Sequence, residues 1–144
     1  MPNLNASLEF LSKMGLFQSA NRQIKDASFE DLHAEFQDKL KNNDLDNASI
    51  IAKKISILYG LKGLYLYVPV ELSRIKSDKE KGEIIDQALM QLLSLILFIE
   101  HNVTSAHDRE WVQLQKSISL SMCDSPQKKD NLEKEAETLS RFYP

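Results

Sequence analysis

The residues best spaced for metal chemistry are Glu30-Asp31-Leu32-His33. A glutamate followed three positions later by a histidine puts both side chains on one helix face, the unit from which carboxylate-bridged di-iron bundles are built. Such a centre needs a second copy of the motif and two further inward glutamates. No second Glu-x-x-His occurs. His33 is therefore expected at the edge of a helix face defined by Phe29 and Phe36, and no metal is assigned to it.

Glu100, His101, His107 and Asp108 form the other cluster of ligand types. A helical zinc hydrolase places two histidines four apart with a glutamate after the first. These two are six apart and lack it. Helix termini explain them better, because a histidine near a helix C-terminus and an aspartate near an N-terminus both complement the helix dipole. Cys123 is the only cysteine, so a Cys-rich zinc site and an intrachain disulfide are both excluded. Flanked by Met122 and Asp124, it reads as a small, partly buried residue rather than a nucleophile.

The four glycines never approach the spacing of a phosphate-binding loop, and no Gly-x-Ser-x-Gly elbow is present. A histidine phosphotransfer bundle would want an exposed histidine on a long helix with lysine and glycine soon after, which His33, His101 and His107 do not offer. No catalytic residue and no cofactor are assigned.

Recognition chemistry is better represented. Tyr59, Tyr65 and Tyr67 place three of the four tyrosines in one short stretch, with Lys62 and Leu64 among them. Tyrosine is enriched at interfaces because it buries a large area yet keeps a polar tip. The competing explanation is that the leucines and Val68 plug a core while the tyrosines line its rim. Tyr59, Lys62, Leu64, Tyr65 and Tyr67 are the candidate partner-binding residues, with Tyr65 or Tyr67 expected to be partly exposed.

The elements that must carry these residues are helical. Leu8, Leu11 and Met14 recur at three-residue steps, with Leu4 and Phe10 extending the stripe, and predict a short helix over Asn5–Met14 ended by Gly15. Ser28-Phe29-Glu30-Asp31 is a variant capping box. Phe29, Leu32, Phe36 and Leu40 follow it at helical spacing, up to Asn42-Asn43-Asp44. A second helix from Asp44 or Asp46 carries Ala48, Ile51, Ala52, Ile55, Leu58 and Tyr59. So short a turn between amphipathic helices predicts an αα-hairpin. Its outline is that of a tetratricopeptide unit, but no second copy follows at about 34 residues and the Trp-Leu-Gly-Tyr pattern is absent.

Gly60 to Glu71 is ambiguous: β-branched and aromatic residues precede Pro69, and the residue before a proline is biased away from helix. We place the boundary at Val68. Ser77-Asp78-Lys79-Glu80 is a full capping box and predicts a long central helix to about His101, about 24 residues or about 36 Å. Between Ala88 and Ile99 only Gln91 and Ser94 interrupt its apolar surface, which marks it as buried. Thr104 or Ser105 caps the next helix, with Trp111, Leu114, Ile118 and Met122 expected on its inner face. Ser125-Pro126 starts the last helix, whose stripe is Leu132, Ala136, Leu139 and Phe142 or Tyr143.

The expectation is an all-α, single-domain bundle of five to six helices over residues 1–144, with an N-terminal αα-hairpin and a long central helix. At 42% apolar and 27% charged, with 4 Gly and 4 Pro, the composition is globular and short of turn residues for a sandwich or barrel. A net charge of −3 argues against a general nucleic-acid binder. No stretch has the roughly 20 apolar residues of a membrane span, and no basic region precedes an apolar run at the N-terminus, so a cytoplasmic location is expected. Residues 28–46 carry two lysines against six acids, whereas residues 47–76 carry five basic residues against Glu71. Opposing helices of the hairpin that complement each other account for this asymmetry; the alternative is a basic face for an acidic partner or nucleic acid. The functional expectation is a noncatalytic protein-binding module of adaptor, secretion-chaperone, immunity-protein or anti-regulator type, with a protein partner or a second copy of the chain. The alternatives are a nucleic-acid-associated regulator using residues 47–76, and an enzyme whose site assembles only in three dimensions.

Overall fold

The computed structural model describes residues 28–141. The helix expected over Asn5–Met14, and Phe142 and Tyr143, lie outside the described residues. The class is all-α: the described residues are 85% helical, in six helices with no strand among them. The chain divides into two compact units, whose described parts are 28–74 and 75–141.

In the first unit, α1 (Phe29–Lys41) starts where Ser28 Oγ accepts a hydrogen bond from the Asp31 amide at 3.2 Å, supplying one of the acceptors that a helix N-terminus lacks. The chain turns at Asn43, whose φ of 57° is the left-handed conformation that asparagine tolerates. Asp44 then caps α2 (Leu45–Tyr59), accepting from the Asn47 amide and, at 2.7 Å, from its side chain. These donors hold the Asp44 carboxyl below its usual range. Leu32 and Phe36 of α1 are buried as α1 packs on α2, whose buried face is Ala48, Ile51, Ala52 and Ile55. The predicted hairpin is present.

Gly60 ends α2 with φ 67°, a conformation open to glycine at little cost, and its amide donates to Ser56 O at 2.8 Å. A new helix, α3 (Leu61–Glu80), begins at once and runs through Pro69. The boundary placed at Val68 is thus wrong, as is the helix start at Ser77. Leu64, Tyr67, Val68, Val70, Leu72 and Ile75 are all buried, and each contributes about 1.5–3 kcal/mol. Together they outweigh the roughly 3 kcal/mol that an interior proline costs. Ser77-Asp78-Lys79-Glu80 forms the last turn of α3 instead. There the Asp78 carbonyl accepts from the amides of Lys81 and Glu83, and Gly82 takes φ 80°.

In the second unit, α4 (Asp86–Asn102) packs against both α5 (Ala106–Ser121) and α6 (Pro126–Arg141). At 17 residues α4 is shorter than the central helix expected from Ser77. Every residue from Leu92 to Ile99 is nevertheless buried. Ser105 and Ser125 cap α5 and α6 by accepting from the amides of Asp108 and Lys128.

The inner face of α5 also differs from expectation. Val112, Gln115 and Ser119 are buried, while Leu114 is 57% and Ile118 37% exposed. Ser119 on α5 and Ser94 on α4 are fully buried, with hydroxyls returned to Gln115 O and Gln91 O of their own helices.

Six helices with no metal-ligand cluster among the described residues, in a chain with a single cysteine, predict a strongly helical far-ultraviolet circular dichroism spectrum unchanged by chelator or reductant. A strand-dominated spectrum, or unfolding on chelation, would refute this architecture.

Candidate functional site

The helix boundary at Gly60 places Tyr59 at the end of α2 and Lys62 at the start of α3. Both are exposed, and both meet the first turn of α1 from across the hairpin. The Phe29 ring packs edge-on against Tyr59, with centroids 5.5 Å apart, and lies nearly parallel to the His33 ring at 5.5 Å. Lys62 Nζ stands over the Phe29 ring, 5.1 Å from its centroid. Quadrupole attraction favours both the edge-on ring pair and the ammonium over the ring face. His33 continues to Phe36, ring centroids 6.4 Å apart, and its Nε2 lies 3.3 Å from Gln37 Nε2. Phe29 and His33 are half-buried and Tyr59 is 36% exposed. The cluster is held rigid by stacking yet shows aromatic area and a cation to solvent.

The sequence-predicted residues do not all share this surface. Tyr59 and Lys62 do. Tyr65 is half-buried, whereas Leu64 is 4% and Tyr67 1% exposed. These last two are core residues and present nothing to a partner, because α3 continues through this segment and turns them inward. Burial, reinforced by Glu71, pushes the Tyr67 phenol well above its ordinary value. Helical spacing alone marks Phe29 and His33 only as residues of one helix face. Their place beside Tyr59 depends on how α1 and α2 cross, which periodicity along one helix does not encode.

A polar cluster lies deeper in the same unit. Ser49, fully buried, donates to Glu71 Oε1 at 2.5 Å. Arg74 donates to the same carboxylate oxygen at 2.6 Å and to Asp46 Oδ1 at 3.1 Å. Burial works against the Arg74 charge, but Glu71 and Asp46 outweigh it and raise its pKa. Burial also lowers the pKa of Lys53, opposed by Glu71, and its ammonium sits 5.9 Å from the Tyr67 ring centroid. An inaccessible hydroxyl bonded to a paired carboxylate cannot reach a substrate, so the cluster ties α2 to α3. It also accounts for part of the charge asymmetry between residues 28–46 and 47–76, since Asp46 and Arg74 meet across that division.

The other ligand-type residues are dispersed. Glu100 accepts from Gln113 at 2.6 Å and pairs with Lys116 at 3.7 Å, while His101 lies 3.5 Å from Glu137. Among the described residues no group of three or more His, Cys, Asp or Glu side chains is placed to hold a metal ion. Cys123 is half-buried, and burial pushes its thiol up, opposite to the activation a nucleophile needs. Among the described residues no helix is long and apolar enough to cross a membrane.

No family model, curated protein or solved structure matches the chain. Geometry alone therefore carries the functional argument.

Proposed function

We propose that the chain is a noncatalytic protein-binding helical module, of adaptor, secretion-chaperone, immunity-protein or anti-regulator type, and that its contact surface centres on Tyr59 and Lys62. The supporting observation is the stacked cluster of Phe29, His33, Tyr59 and Lys62 at the joint of two helices. Binding energy at protein interfaces concentrates on a few rigid aromatic and cationic anchors, and stacking reduces the side-chain entropy such anchors lose on binding. Tyr65 is half-buried and, among the described residues, is not part of the stacked cluster's ring contacts.

A nucleic-acid regulator is less well supported. Phosphate binding requires several unpaired cations on one face. Of the basic residues in 47–76, Arg74 is held by two carboxylates, Lys53 is half-buried beside Tyr67, and Lys62 lies on Phe29. An enzyme reading finds no support in the buried Ser49 or the dispersed histidines.

The test is affinity isolation from native lysate with the wild-type chain, Tyr59→Ala and Lys62→Glu. A specific partner should co-purify with the wild type, and each substitution should weaken it by about 1–3 kcal/mol while the helical spectrum persists. Identical recovery with all three chains would refute the assigned surface. Retention on heparin that falls steeply with salt would favour the nucleic-acid alternative instead.

A further inference from the structure

We draw no further inference here: the strongest candidate, the cavity of about 210 Å³ beside α6 with its apolar floor of Ile85, Leu89, Met122 and Leu132, carries nothing because Lys79 and Lys128 already engage Asp124 at its rim and nothing in the structure shows what covers it.

Discussion

Gly63→Ala is expected to be among the most destabilising single-methyl additions this chain can suffer. Gly63 lies in the first turn of α3, where that helix crosses the end of α2. A Cβ at this position would fall inside contact distance of the backbone nitrogen and Cα of Ser56. Overpacking against a side chain can be relieved by a rotamer change, but here the obstacle is main chain. The helices must separate, and Gly60, with φ 67°, leaves no slack in the connection between them. We expect a loss of about 4 kcal/mol, at the upper end of single-substitution effects, read as a lowered midpoint of urea unfolding. Gly82→Ala supplies the comparison: its φ is 80° but no atom lies within 4 Å of the added carbon. Only backbone strain is at stake there, about 1–2 kcal/mol. Equal effects at the two glycines would show that the α2–α3 crossing is looser than described. The crossing also bears on function, because it sets Tyr59 and Lys62 on either side of Gly60.

The same corner shows what the sequence could and could not reveal. Elements whose ends are written in local chemistry were legible: Ser28 and Asp44 cap their helices through side-chain oxygens, and Ser125-Pro126 opens α6. Their signals act within four residues, and nothing distant competes with them. Pro69 and Ser77 misled because their local preferences are real but small beside burial. The apolar residues on both sides of Pro69 gain more from staying helical than the missing amide costs. Likewise Ser77-Asp78-Lys79-Glu80 can cap a helix only where amides are free, and here α3 already uses them. Of the candidate site, Tyr59 and Lys62 were visible as an aromatic and a cation near a break. Tyr67 could not be told from them by composition, since one helical step decides whether a tyrosine faces core or solvent. Phe29 and His33 join the site only through the packing of α1 on α2.

Leu95→Ala is expected to cost about 2–5 kcal/mol, and Leu92→Ala a similar amount, because both side chains are at most 3% exposed within the continuously buried run of α4. Truncation removes three carbons from close-packed surroundings and leaves a void that neighbours fill only in part. Helix α4 packs on both α5 and α6, so collapse toward one neighbour opens space at the other, which favours the upper half of that range. Leu114→Ala on α5 is the contrasting variant. Hydrophobic spacing placed Leu114 on the inner face with Trp111, Ile118 and Met122, and core leucine truncation would then cost as much as at Leu95. With Leu114 at 57% exposure, the expected change is within about 0.5 kcal/mol. Equilibrium urea unfolding of the three variants separates the cases. A large loss at Leu114 with little at Leu95 would reverse which faces of α4 and α5 form the core. A small loss at all three would mean that α4 is not the helix around which the second unit packs.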